Sequence, residues 1–253
     1  QKAEEKAKVQ VEQPLISHLI ELRNRLLKTL IFILIAFAAL YSFSNELYLL
    51  LSKPLEVLLP ENSAMIATGV ASPFLVPFKL TLFTAVFLTI PFILHQMWGF
   101  ISPGMYKSEK RFAVPLLLSS IILFYVGVAF AYFIVLPLVF GFFTAIGPEG
   151  VTFLPDINNI LNFILKMFFA FGLAFEIPIA TLLLIISGIA TVESLTEKRP
   201  YIFVGCFVVG MLVTPPDVIS QTILALPMYL LFEAGIFFGR LIKNPKETPS
   251  QSD

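Results

Sequence analysis

Residues 112–143 read FAVPLLLSSIILFYVGVAFAYFIVLPLVFGFF, thirty-two positions without a charged side chain. An uncharged run longer than about 18 residues has no soluble explanation in a chain with little polar surface to cover it, so this stretch lies in a bilayer. Lipid offers the backbone no hydrogen bonds, which makes it a helix. At 1.5 Å per residue it would run roughly 48 Å, against about 30 Å of hydrocarbon. It must therefore tilt, kink near Pro137, or project beyond the membrane.

Composition extends this reading to the whole chain. Of 253 residues, 57% are hydrophobic, 27 are Phe and 13% are charged, where a soluble domain carries about 25% charged residues. Mean hydropathy is +0.88. Besides Phe112 to Phe143, the candidate spans are Leu26 to Phe43, Leu80 to Ile101, Ile160 to Ile186, Tyr201 to Thr214 and Ile219 to Phe238. The expected fold class is all-α, a polytopic membrane protein of six transmembrane helices with the last two short. The expected organisation is one membrane domain over 1–253: an N-terminal segment 1–25 with an amphipathic helix, a six-span core 26–242, and a disordered tail 243–253.

Orientation follows from the basic residues, which collect on the cytoplasmic side. Lys2, Lys6, Lys8, Arg23 and Arg25 precede the first span, Lys107, Lys110 and Arg111 sit in the second loop, Lys198 and Arg199 in the fourth, and Arg240, Lys243 and Lys246 in the tail. The opposite loops contribute Lys53 alone. Both termini are expected in the cytoplasm. The first outer loop, from about Ser44 to Pro77, reads as an interfacial helix broken at Pro54.

Several chemistries lack their residues. Cys206 is the single cysteine, and His18 and His95 are the two histidines. No intramolecular disulfide, zinc site, nucleotide-binding glycine-lysine loop or nucleophile motif can be built from this sequence. The chain is expected to be no enzyme and to hold no metal or cofactor. Zero net charge gives no reason to expect nucleic-acid binding.

In the stretch 14–27, PLISHLIELRNRLL, the residues Leu15, Leu19, Leu22 and Leu26 share one helical stripe, while His18, Glu21 and Arg25 share another. This is an amphipathic helix entered at Pro14 and lying at the cytoplasmic surface. The plain reading of Glu21 is a solvated partner of Arg25 at i,i+4, worth a few tenths of a kcal/mol. Glu109 likewise reads as a surface charge among Lys107, Lys110 and Arg111. The sharper reading is that these two carboxylates together bind a pair of guanidiniums through charge-assisted, often two-pronged hydrogen bonds.

Glu176 is different because it sits within the apolar stretch FGLAFEIPIA, 171–180. A charge near the middle of a span costs about 2.5–3.5 kcal/mol on insertion scales, so it should face protein, water or a partner. Lys166 is no counter-ion: ten residues of helix separate the two by roughly 15 Å and 280°. Pro178 frees the carbonyl of Ala174, which argues for a bend and a polar pocket beside Glu176. The carboxyl is expected to line a water-accessible concavity, either protonated or paired with a group from outside this chain. Gln96, Thr214 and Gln221 read by default as polar contacts between helices.

Taken in order, HLIELRNRLL (18–27), ASPF (71–74), PGMYKSEKR (103–111), FGLAFEIP (171–178), KRPY (198–201) and VTPPD (213–217) resemble the TatC family, the receptor subunit of the twin-arginine protein translocase. The resemblance covers about residues 12 to 242 and is closest to bacterial members. It implies a receptor of the bacterial inner membrane that binds twin-arginine signal peptides of folded cargo. Such receptors work in an oligomeric complex with single-span TatA and TatB proteins, using the proton motive force. It also implies that Glu21 and Glu109 hold the arginine pair, with Arg23 and Phe100 nearby. Pro54 matches a proline of the first outer loop, and Glu176 an intramembrane position in a concave wall. Met211, Thr214 and Gln221 match the seam where partner helices dock. Relatives tend to carry an acid just before the V-A-S-P-F segment, where this chain has Gly69. Two other readings of the residues stand beside this one: a proton-coupled small-solute transporter using Glu176, and a scaffold that transports nothing.

Overall fold

The computed structural model describes residues 2–50, 66–101, 113–146, 156–213 and 218–243. The described residues are helical apart from short turns and one isolated parallel bridge, Ile66 to Asp156. The elements are α1 (Lys2–Tyr41), α2 (Ser72–Ile101), α3 (Ala113–Phe130), a π-helical turn (Ala131–Val135), α4 (Leu136–Ile146), α5 (Ile157–Ala174), α6 (Ile177–Ile186), α7 (Val192–Glu197), α8 (Arg199–Val213) and α9 (Val218–Lys243). A further helical stretch occupies 44–50.

Five stretches are long and apolar enough to cross a membrane: His18–Tyr41, Ser72–Phe100, Ala113–Phe142, Ile157–Ile186 and Val218–Leu241. They correspond to five of the six expected spans. The remaining one is α8, apolar but only 15 residues long, roughly 22 Å of helix. The last helix corrects the expectation of two short spans, because α9 runs for 26 residues straight through Pro227. A proline removes one hydrogen bond but need not end a helix whose neighbours hold it.

The N-terminal segment also differs from expectation. The helix does not begin at Pro14 and lie apart from the first span; α1 is continuous over 40 residues. No glycine or turn pair separates the amphipathic stretch from the span, so nothing breaks the backbone ladder. The leucine stripe faces outward, with Leu19 64% and Leu26 66% exposed. From the polar stripe His18 and Arg25 instead reach α2, His18 by stacking on Phe100 and Arg25 by hydrogen bonds to Gln96 and Gly99.

Helix α1 lies antiparallel against α2, fastened by ring contacts between Phe32 and Phe92 at 4.4 Å and between Phe37 and Phe78 at 5.2 Å. The expected kink near Pro137 takes the form of the π-helical turn, where the Leu136 N–H bonds the carbonyl of Ala131. The wider turn sits just before the residue whose ring would otherwise press on the carbonyl four positions back. From it Val135, Leu136, Val139 and Phe140 pack with Ile164, Met167 and Phe171 of α5 and Leu224 of α9.

Within lipid, helices gain little by hiding apolar surface and associate through close packing, which favours small residues at contacts. Such contacts include those at Gly172 and Gly235. A Cβ on Gly172 of α5 would collide with the Phe124 ring of α3, and one on Gly235 of α9 would come within 2.9 Å of Thr181 and 3.0 Å of Pro178 on α6.

Candidate functional site

At one end of the α1 and α2 pair the polar stripe closes into a cluster. Arg25 donates from Nε and Nη2 to Oε1 of Glu21 at 2.9 and 2.7 Å. The same guanidinium reaches across to α2, donating from Nη1 to Oε1 of Gln96 at 3.4 Å and from Nη2 to the carbonyl of Gly99 at 2.9 Å. The other Glu21 oxygen, Oε2, lies 4.0 Å from Nδ1 of His18 and accepts no hydrogen bond among the described residues. His18 stacks on Phe100 with ring centroids 4.2 Å apart. Beside this cluster runs a groove of about 360 Å³ lined by Leu22, Arg25, Leu26, Thr29, Ile93, Gln96, Met97 and Phe100.

Of the residues expected to bind a ligand, the structure brings Glu21 and Phe100 together, with His18 between them. Arg23 points elsewhere: it is exposed and bonds the Oδ1 of its neighbour Asn24. Glu109, Pro54 and Thr214 lie outside the described residues. The plain reading of Glu21, a partner of Arg25, is met in the structure, but the pair is half-buried and tied to a second helix.

The expected bend at Glu176 is present. Helix α5 ends at Ala174, Phe175 and Glu176 form a turn, and α6 starts at Ile177 with Pro178 in its first turn. Pro is well placed there, because its missing N–H would have no partner within the helix anyway. Ser120 of α3 donates its hydroxyl to Oε2 of Glu176. Oε1 is buried and has no hydrogen-bond partner among the described residues. Lys166 is exposed and forms no ion pair with Glu176. Met211 is exposed on α8, and Gln221 is half-buried on α9, its backbone 3.5 Å from where a Cβ on Gly210 would stand. Those two helices thus meet closely where the seam was expected.

Sequence reasoning missed a second acid in a span. Glu233 accepts from Nη2 of Arg199 at 2.6 Å and from the Tyr229 hydroxyl at 2.7 Å. The signal was available, since Glu233 interrupts the apolar run LLFEAGIFF (230–238) as Glu176 does its own. It also overlooked a clasp at the opposite end of α2. Asp156 caps α5 by accepting from the N–H groups of Asn158 and Asn159, both at 3.0 Å. Its other oxygen accepts from the hydroxyl of Thr68 at 2.6 Å and from the Thr68 N–H at 2.9 Å. The Thr68 hydroxyl and N–H, then the backbone N–H groups of Asn159 and Asn158, hold the Asp156 carboxyl down at about 2. Gly69 brings no acid to this corner, but Asp156 does. Lys79 donates to Oδ1 of Asn158 and Asn162 nearby.

The comparisons with known proteins bear on the chain and its fold as a whole. The family model described as "Sec-independent protein translocase protein (TatC)" matches residues 17–227. Proteins named Sec-independent protein translocase protein TatC are 58% identical from Azotobacter chroococcum, over 96% of this chain and 94% of theirs, and 55% identical from Escherichia coli K12, over 92% and 90%. A solved structure described as "Crystal Structure of Twin Arginine Translocase Receptor- TatC" superposes with a TM-score of 0.79 at 38% identity, covering 88% of this chain and 98% of its own. With several helices long and apolar enough to cross the bilayer and relatives matched over nearly its whole length, the chain belongs to the TatC family of bacterial inner-membrane protein translocase components.

Proposed function

We propose that this protein is the receptor of a twin-arginine translocase: it binds the paired arginines of signal peptides on folded cargo and supports their passage across the inner membrane, driven by the proton motive force. In this reading both termini are cytoplasmic, α8 is a short fifth span, residues 1–253 form one membrane domain with its six-span core over 26–242, and the working unit is an oligomeric complex with TatA-type and TatB-type single-span helices. Those helices dock along Met211, Thr214 and Gln221.

The observation that carries the reading is the half-saturated carboxylate of Glu21. Its Oε1 is committed to Arg25, whereas Oε2, beside the stacked His18 and Phe100 rings, accepts no hydrogen bond among the described residues. An open carboxylate oxygen next to an aromatic face is suited to a guanidinium, which donates in its plane and stacks on rings. Glu109 would supply the second carboxylate. The transporter alternative would need several convergent polar groups around Glu176, and among the described residues Ser120 alone reaches it.

The test is the affinity of a twin-arginine peptide for the purified protein in nanodiscs. Glu21→Gln and Glu109→Gln are each expected to weaken binding about ten-fold, the loss of one charge-assisted bond of roughly 1.4 kcal/mol. Glu109→Lys should be worse, because it adds repulsion to a loop that is already basic. Unchanged affinity in the Glu21→Gln/Glu109→Gln double variant would return both residues to solvated surface charges.

A further inference from the structure

We infer that Arg25 is a positioning residue for Glu21, an internal guanidinium that fixes the carboxylate so that one oxygen alone is offered to an incoming arginine. This rests on the reading of Glu21 as an arginine acceptor and adds how that acceptor is set. An i,i+4 pair on a solvated helix leaves both side chains mobile. Arg25 is not such a case. It is 25% exposed, and its fork is held at three places: Oε1 of Glu21, Oε1 of Gln96 and the carbonyl of Gly99. Gly99 matters for its missing side chain, since a Cβ there would collide with the guanidinium.

Two consequences follow for recognition. With two N–H donors on Oε1, both lone pairs of that oxygen are taken, so a peptide arginine meets Glu21 through Oε2. Furthermore, Glu21 and Arg25 together carry no net charge, so attraction at this point depends on the placement of Oε2 and not on long-range field. A ligand arginine that simply displaced Arg25 would behave in the opposite way, because removing Arg25 would then free the site.

The experiment is a double-mutant cycle on the full chain in nanodiscs, reading the dissociation constant of a fluorescent twin-arginine peptide for the parent protein, Arg25→Gln, Glu21→Gln and the double variant. Arg25→Gln is expected to weaken binding about five-fold to ten-fold in the parent and less than about two-fold once Glu21 is Gln. Arg25→Lys should not rescue, because an ammonium lacks the planar fork that spans three acceptors. Gly99→Ala disturbs the same guanidinium without removing it, and a loss of about three-fold is expected there, vanishing likewise in the Glu21→Gln background. Equal losses in both backgrounds would make Arg25 a general support of α1 on α2 and overturn the inference, as would unchanged or tighter binding in Arg25→Gln. If Glu21→Gln itself leaves affinity unchanged, the acceptor reading of Glu21 fails and the inference falls with it.

Discussion

Arg199 and Glu233 set opposite charges against each other across α8 and α9, with Tyr229 completing the acid's shell. Both side chains are about one-third exposed, at 36% and 28%, so their coupling is well below that of a sealed pair. Glu233→Leu, which leaves Arg199 unpaired, is expected to cost about 1–2 kcal/mol, and Arg199→Met/Glu233→Leu to recover most of it. Thermal unfolding in detergent measures this, and a double variant as unstable as the single would refute the coupling. For Glu176, glutamine keeps an acceptor for the Ser120 hydroxyl, whereas alanine and leucine abandon it. Cargo export is therefore expected to survive Glu176→Gln better than Glu176→Ala or Glu176→Leu. Should Gln abolish export while peptide binding and assembly persist, the carboxyl would be acting as a proton carrier. At this scale the sequence reveals the unusual residues but not their partners. The link from Glu21 to Arg25 is visible at i,i+4, while Gln96 and Gly99 stand 71 and 74 positions away from Arg25, beyond any periodicity.

Helix α2 contains Pro77 and Pro91 and stays continuous. Pro91 supplies no N–H to the carbonyl of Phe87, and that carbonyl accepts instead from the Tyr125 hydroxyl of α3 at 2.8 Å. An orphaned carbonyl in lipid is costly, and a neighbouring helix is one of the few places to find a donor. Tyr125→Phe is accordingly expected to destabilise the protein by about 1–2 kcal/mol. In a Pro91→Ala background the backbone supplies its own N–H, and the same change should cost little. Unfolding midpoints of the four proteins test this, with equal costs in both backgrounds counting against it. The element boundaries show what a sequence can carry. Apolar runs located the five long spans, and Pro137 and Pro178 marked the two distortions, since a missing N–H acts locally. The continuity of α1 and the full length of α9 were not legible, because tertiary neighbours decide whether a helix survives a proline or a polar stretch.

Across the whole molecule, the clasp of Asp156 on Thr68, with the Ile157 N–H on the Ile66 carbonyl at 2.9 Å, ties the segment before α2 to the start of α5. A carboxyl held at about 2 when folded and near 3.9 when unfolded contributes stability that is complete above about pH 4 and lost as pH falls through about 2. Acidification from pH 5 to 2 should thus loosen this corner, seen as lower protection factors at 66–68 and 157–159 once exchange rates are divided by their intrinsic values at each pH. In Asp156→Asn the corner should already be looser at neutral pH and should change less across that window; an unaltered acid response would reject the assignment. None of this was readable in advance. Asp156 is an ordinary helix cap by sequence, and a contact 88 residues apart needs the assembled bundle. The family, by contrast, was legible from motifs in order along the chain, and the all-helical membrane class from its apolar runs.

The spacing of these polar contacts also sets a timetable for synthesis. At about 5–20 residues per second, the 88 positions between Thr68 and Asp156 correspond to roughly 4–18 s of elongation. Arg25 has Glu21 beside it from the outset but waits 74 residues for Gly99. Glu176 follows Ser120 by 56 residues, so its partner is already made when the acid arrives. Arg199 has the reverse order, emerging 34 residues before Glu233. A chain released before the last helix therefore leaves Arg199 without its carboxylate, a recognisable mark of an unfinished molecule.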